Sequence, residues 1–364
     1  MYKERIKKFQ LFLKKENLDG FIIGPMALDA IGPFNVRYLC GFSGDTGMLI
    51  VTQKAAYMLC DGRFHEQARK EVKGAKVVPT TSLPAHSLKD LTQFHGKNLR
   101  YGYEPEFINY TQLEMIRKNL KDALLIPVEG AVELLSIIKD KTEIGLIQKA
   151  VDITDTAFDR ILGYIKPGLR ENEVCAELEY QMKMLGSPKP AFDTIIASGY
   201  RSALPHGLAS EKKIAKGDFV TFDFGASYKG YVADMTRTVV IGKATSRQKK
   251  VYNAVLKAQM AGIRKVKAGA AAKTVDTAAR GSIAKSGYKK YFTHGTGHGI
   301  GTYIHCKPYV GTRSTEILKS GMVLTVEPGI YIPGWGGVRI EDDVVVTNKG
   351  GKVMNSSPKK LLEL

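Results

Sequence analysis

Cysteine is scarce: Cys40, Cys60, Cys175 and Cys306 are the only four in 364 residues, with no CxxC pair and no regular spacing. That excludes a disulfide framework and fits free thiols in a reducing compartment. No apolar run approaches the length of a membrane span, so no membrane partner is expected. The first segment, from Tyr2 to Gly20, alternates Lys and Glu with Ile6, Phe9 and Leu13. It predicts an amphipathic surface helix and not a signal peptide, because an unbroken apolar stretch is missing. Cytoplasmic residence is the resulting expectation. The net charge is +18, yet no basic run of five or more occurs and no aromatic–basic interleaving. The lysines come as scattered pairs such as Lys7-Lys8, Lys212-Lys213, Lys249-Lys250 and Lys359-Lys360. This pattern predicts a solvated surface and no nucleic-acid partner. What remains is an ordinary globular composition, 44% hydrophobic and 25% charged, in a chain long enough for two domains.

The first part, residues 1–128, reads as an alternating α/β domain. Short apolar runs at Gly20–Ile23, Gly47–Val51, Ala56–Leu59 and Lys76–Pro79 predict strands, and Phe64–Lys73 a helix. His65, His86 and His95 are spread out without a metal-ligand pattern. The second part, 129–364, opens on a long helix predicted over about 140–165, where Ile144, Ile147, Val151, Phe158, Ile161 and Ile165 follow helical spacing. Pro167-Gly168 is expected to end it, and a second helix spans about 171–185 up to Gly186.

This arrangement recurs. Ile165-Lys166-Pro167-Gly168, Val174 and Gly186 match Val266-Lys267-Ala268-Gly269, Val275 and Gly287 at a constant offset of 101 residues. Thr221-Phe222-Asp223-Phe224-Gly225 similarly resembles Thr325-Val326-Glu327-Pro328-Gly329. The pattern is an internal two-fold repeat of helix, helix and sheet, with one acid at the same place in each half.

The acids carry the chemistry. Asp223 lies inside Phe219–Phe224, and Asp234 follows eleven residues later after a turn at Tyr228-Lys229-Gly230. Two antiparallel strands would set these carboxylates side by side. Glu327 and Glu341 pose the same problem in the second half. A carboxylate in an apolar strand is costly without a partner, and like charges at close range call for a cation. Arg237 and Arg339 could serve one pair, but four acids exceed the nearby bases, so a divalent metal is expected. The histidines agree. His206 stands in Leu204-Pro205-His206-Gly207, while His294, His298 and His305 fall in a glycine-rich run of twelve residues. Glycine lets backbone approach a site closely. The run lacks the Gly-Lys-Ser/Thr ending of a phosphate loop.

Together these residues resemble the pita-bread metallopeptidases, in the branch of Xaa-Pro aminopeptidases and Xaa-Pro dipeptidases (prolidases). Asn35-Val36-Arg37-Tyr38-Leu39, Gly41-Phe42-Ser43-Gly44 and Asp61-Gly62-Arg63-Phe64 are similar to the creatinase-type N-terminal domain of that branch. Ala197-Ser198-Gly199, Leu204–Gly207, His298-Gly299-Ile300-Gly301, Glu327-Pro328-Gly329 and Gly337–Asp342 are similar to its catalytic domain. The resemblance implies an α/β N-terminal creatinase-type domain followed by an α+β pita-bread domain with an internal pseudo-two-fold repeat.

It also implies two divalent ions held by Asp223, Asp234, His298, Glu327 and Glu341, with Asp234 and Glu341 bridging them. Manganese fits the oxygen-rich set, with cobalt or zinc as alternatives. His206, His294, His305 and Arg339 would surround the substrate. His206, His305 and Glu327 would take part in catalysis, with a hydroxide bridging the ions as nucleophile. The implied activity is that of an Xaa-Pro aminopeptidase, with Xaa-Pro dipeptidase as the alternative, acting on proline-containing peptides as a homodimer. Two positions depart from the family pattern: Cys306 stands where an acid is usual, and Thr302 where an aliphatic residue is usual. Methionine aminopeptidases share the ligands but not this first domain, and creatinase shares the architecture but is not a metal enzyme. Non-catalytic pita-bread binding proteins typically lose metal ligands, and all five are present here.

Overall fold

The computed structural model describes residues 1–24 and 34–364. It divides into two compact units, Met1–Ser136 and Ile137–Leu364. Ala131 and Val132 are fully buried in the first unit's core, and the Tyr38 hydroxyl donates to the Leu135 carbonyl at 3.0 Å. These contacts carry the first unit past the expected boundary at 128/129.

Among the described residues, the first unit holds a six-stranded mixed sheet ordered β4-β3-β2-β1-β5-β6. Its strands are β1 (Gly20–Ile23), β2 (Met48–Thr52), β3 (Ala56–Asp61), β4 (Lys76–Thr80), β5 (Arg100–Tyr103) and β6 (Leu124–Pro127). The sheet buries both faces, which is why β1 reads as a continuous apolar run and not as an alternation. One face packs on the predicted amphipathic helix α1 (Tyr2–Lys15) through Ile6, Phe9 and Leu13. The other face carries a second core around Leu88, Phe94 and Ile116. His65 and His95 each direct Nε2 to a nearby carbonyl, of Cys60 and Leu88, as local structural residues.

The second unit builds its repeat from helix pairs. Numbering helices within this unit, α2 (Lys141–Leu162) and α3 (Glu171–Met184) precede the first half's strands. α4 (Ser246–Ile263) and α5 (Ala272–Lys285) precede the second half's strands. Asp140 caps α2, accepting from the Glu143 amide while the Glu143 side chain accepts from the Asp140 amide. That helix ends at Leu162, ahead of the expected stop at Pro167. The matched glycines have a common cause. Gly168 and Gly269 have φ of +94° and +87°, and Gly186 and Gly287 +103° and +87°. Each pair makes the same left-handed turn in its half, and the amides of Gly168 and Gly269 donate at 2.8 Å to Ile214 and Leu318.

The first half's sheet is ordered β11-β8-β7, from β7 (Ile195–Ser198), β8 (Phe219–Phe224) and β11 (Met235–Val240). A two-residue ribbon, β9 (Ser227–Tyr228) with β10 (Tyr231–Val232), links β8 to β11. Its turn at Lys229-Gly230 has positive φ at both positions, the geometry that a tight hairpin requires. The second half's sheet is ordered β13-β12-β14-β17-β18. It comprises β12 (Gly297–Gly299), β13 (Cys306–Val310), β14 (Val323–Val326), β17 (Asp342–Val346) and β18 (Gly351–Val353), with β15 (Gly329–Ile332) and β16 (Gly336–Arg339) paired beside it. Among the described residues, no helix is long and apolar enough to cross a membrane.

Candidate metal centre

All nine residues singled out above line one cavity of about 420 Å³ inside the second unit: Asp223, Asp234, His298, Glu327, Glu341, His206, His294, His305 and Arg339. Phe192, Ile195, Pro205 and Ile304 give part of its wall an apolar character.

The expectation of four acids within four strands needs correction. Asp223 alone lies inside a strand, β8, opposite Thr236 in β11. Asp234 directly precedes β11, Glu327 directly follows β14, and Glu341 stands between β16 and β17. At these ends the backbone leaves the ladder, so side chains from different strands can turn toward one point. Backbone contacts hold the arrangement. The Asp234 amide donates to Asp343 Oδ2 at 3.0 Å, the Glu327 amide to the Thr296 carbonyl at 2.8 Å and the Glu341 amide to the Thr236 carbonyl at 3.1 Å. Thr236 Oγ1 also donates to Glu341 Oε2 at 2.6 Å.

His298 occupies the middle of β12, between β13 and β14. Its Nε2 lies 3.5 Å from Asp234 Oδ2 and 3.4 Å from Glu327 Oε1. Asp234, His298 and Glu341 each offer a ligand atom within 4.8 Å of the other two. The flanking glycines permit this. A Cβ on Gly297 would sit 2.0 Å from the Thr325 carbonyl oxygen, and one on Gly299 2.2 Å from that of Lys307. Gly297→Ala is therefore expected to force β12 away from β14, at a cost of roughly 1–3 kcal/mol. A reduced Tm together with weakened binding of divalent ions would show this, whereas a wild-type Tm would contradict it.

The electrostatics call for a cation. Arg339 Nη2 donates to Asp223 Oδ2 at 2.5 Å, while Arg237 is committed to Asp342 at 2.7 Å. Among the described residues, no lysine or arginine forms an ion pair with Asp234, Glu327 or Glu341. Burial, and then the neighbouring carboxylates beginning with Glu341, holds Asp234 well above the usual carboxylate range. Burial, followed by Glu327 and Asp223, does the same to Glu341. Burial pushes Glu327 up to about 7. Asp234 Oδ1 and Glu341 Oε1 are buried without a hydrogen-bond partner. Burial, with His305 next, lowers His298 to about 3, leaving a neutral imidazole able to act as a ligand. Hard carboxylate oxygens, two of them orphaned, and one neutral nitrogen converge in one place, so the residues fit divalent metal.

Beside the acids runs a polar relay. Arg339 Nη1 donates to the Tyr331 hydroxyl at 2.8 Å, and that hydroxyl lies 2.9 Å from His294 Nε2. His294 Nδ1 is 2.7 Å from the Gly295 carbonyl. The carbonyl can only accept, so Nδ1 carries the proton and Nε2 accepts from Tyr331. Burial, followed by Arg339, lowers His294 to about 4, consistent with that neutral form. The His305 and His298 rings are 4.3 Å apart between centroids. Burial, the largest influence, also lowers His305. His206 stands exposed at the rim. Tyr331 and Thr236 were not singled out in the sequence. Their signal was a hydroxyl in an apolar strand, which must find a partner when buried. Cys306 is buried at the start of β13, beside His305.

Residues 145–348 match the model for metallopeptidase family M24, and residues 5–138 that for the creatinase/prolidase N-terminal domain. An Xaa-Pro dipeptidase of Pyrococcus horikoshii is 39% identical, over 99% of this chain and 99% of its own. The solved structure of an Xaa-Pro dipeptidase from Bacillus anthracis superposes with a TM-score of 0.93 at 40% identity, covering 100% of both chains. An X-Pro aminopeptidase from Thermotoga maritima superposes at 0.87 with 34% identity, over 96% of this chain and 98% of its own. The chain therefore belongs to metallopeptidase family M24, with a creatinase/prolidase N-terminal domain followed along the sequence by a pita-bread domain.

Proposed function

We propose that this protein hydrolyses the peptide bond preceding proline in small peptides. The observation that carries the reading is the convergence of Asp234, His298 and Glu341 in one cavity with Asp223 and Glu327. The five residues would hold two divalent ions, manganese by preference, with Asp234 and Glu341 shared between them. Bound there, the ions would lower the pKa of a water and polarise the scissile carbonyl. Glu327 is the candidate for proton transfer beside its ligand role. His305 would support the developing tetrahedral oxygen, and His206 would contact the leaving side of the substrate. Arg339 is anchored by Asp223 and Tyr331, and through the Tyr331 hydroxyl it is linked to His294, which would contact the substrate.

The sequence favoured an aminopeptidase, with the dipeptidase second. The names of the relatives support reversing that order, so Xaa-Pro dipeptides are the proposed preferred substrates, cleaved by a cytoplasmic homodimer. Comparing Ala-Pro with Ala-Pro-Ala at saturating manganese separates the two readings, and faster turnover of the tripeptide would restore the aminopeptidase. Proline specificity has its own check. An apolar wall suits the pyrrolidine ring, whereas the N–H of an alanine in its place would be buried unpaired, at about 1–3 kcal/mol. Ala-Pro should exceed Ala-Ala in kcat/KM by roughly one to two powers of ten. Equal values would leave a metallopeptidase without Xaa-Pro preference.

A further inference from the structure

We propose that Arg280, held by Asp276, is a positioning residue that fixes His294 at the cavity wall. The inference rests on the reading of His294 as a substrate contact.

Both residues lie one turn apart on α5, outside the proposed ligand set. Asp276 is fully buried and the Arg280 side chain is 27% exposed. Arg280 Nε and Nη2 donate to the two carboxylate oxygens of Asp276 at 3.0 and 2.9 Å. The outer edge of the guanidinium then reaches the loop that carries the histidine. Nη1 donates to the Phe292 carbonyl at 3.1 Å and Nη2 to the His294 carbonyl at 2.7 Å. Asp276 Oδ1 also accepts from Thr296 Oγ1 at 2.8 Å. One ion pair thus grips residues 292, 294 and 296, every second position of the loop. The guanidinium lies 4.3 Å over the Phe292 ring, and that ring meets the His294 imidazole edge-on at 5.0 Å.

The imidazole is therefore fixed from two sides, by Phe292 and by the Tyr331 hydroxyl. The far end of the same loop holds Glu327, whose amide donates to the Thr296 carbonyl. A planar fork with fixed donor directions can hold a carboxylate and two carbonyls together, which an ammonium cannot. Arg280 touches neither the proposed ligands nor the carboxylates around them, so its effect should pass through the loop.

Arg280→Met should lower kcat/KM for Ala-Pro roughly tenfold to a hundredfold, the range seen when a positioned group is released. Manganese content, measured by elemental analysis, should stay at the wild-type value. In a His294→Ala background the same substitution should cost less than about twofold, because the residue it positions is gone. Arg280→Lys and Asp276→Asn, both milder, should show smaller losses with the same dependence on His294. Amide hydrogen exchange needs no substrate, and the peptide covering 292–298 should exchange faster in Arg280→Met while the rest of α5 stays protected. An equal loss with and without His294, or unchanged exchange over 292–298, would overturn the proposal. A wild-type protein inactive on every Xaa-Pro peptide would instead count against the substrate reading, and the exchange result would still decide whether the clamp exists.

Discussion

Glu341→Gln should yield a folded protein with almost no hydrolysis of Ala-Pro, a loss on the order of 10²–10³-fold or more. The side chain keeps its shape but gives up the charge that two ions would share. Its carboxylate is buried, with Oε2 held by Thr236 and Oε1 unpartnered. An amide can still accept from Thr236, so the fold should persist. Manganese content should fall from about two ions per chain, the stoichiometry expected of a dinuclear site. Asp234→Asn should behave alike, since the Asp234 backbone amide and not its side chain makes the contact to Asp343. Wild-type turnover with wild-type metal content in either variant would show that these residues do not bridge the ions.

Chelation should make stability fall as pH rises, opposite to the usual behaviour of a protein with ion-paired acids. The sign follows from proton binding. Asp234, Glu327 and Glu341 have native pKa values raised by burial, with Glu327 at about 7, whereas unfolded carboxylates titrate near ~4. Between those values the native chain binds more protons than the unfolded one, so stability drops as pH climbs through that window. The three carboxyls together correspond to on the order of a few kcal/mol. For a unit of this size that is roughly 10 °C in Tm between pH 5 and pH 8. Manganese should restore most of the loss at pH 8 and little at pH 5, where the carboxyls are protonated. Scanning calorimetry at both pH values, with chelator and with metal, tests this, and a flat Tm in chelator would mean that the acids are less crowded than described.

Much of the site was legible because its components conflict with their surroundings. A carboxylate amid Val and Phe, repeated in matched halves, cannot be explained by packing, and the glycines around His298 mark a close backbone approach. The repeat was equally plain, since Gly168, Gly186, Gly269 and Gly287 are forced by left-handed turns that other residues adopt poorly. What could not be read was long-range pairing. Nothing near Tyr331 indicates that its hydroxyl will meet His294, 37 residues away, or Arg339. The placement of three acids at strand ends was missed for a related reason. Apolar flanks identify a strand, but where its ladder stops depends on partners distant in the chain. The first domain ran past its expected limit because Ala131 and Val132 are small apolar residues whose allegiance only packing decides.

The split of the proposed ligands between the two halves bears on synthesis. Asp223 and Asp234 leave the ribosome together, but Glu327 and Glu341 follow about a hundred residues later, the repeat spacing of this chain. Chains fold from the N-terminus as they emerge. The nascent protein therefore lacks the complete ligand set until residue 341 has been made. A peptide-cleaving centre assembled this way stays inert while it is being translated, and ion capture becomes a late step in its maturation.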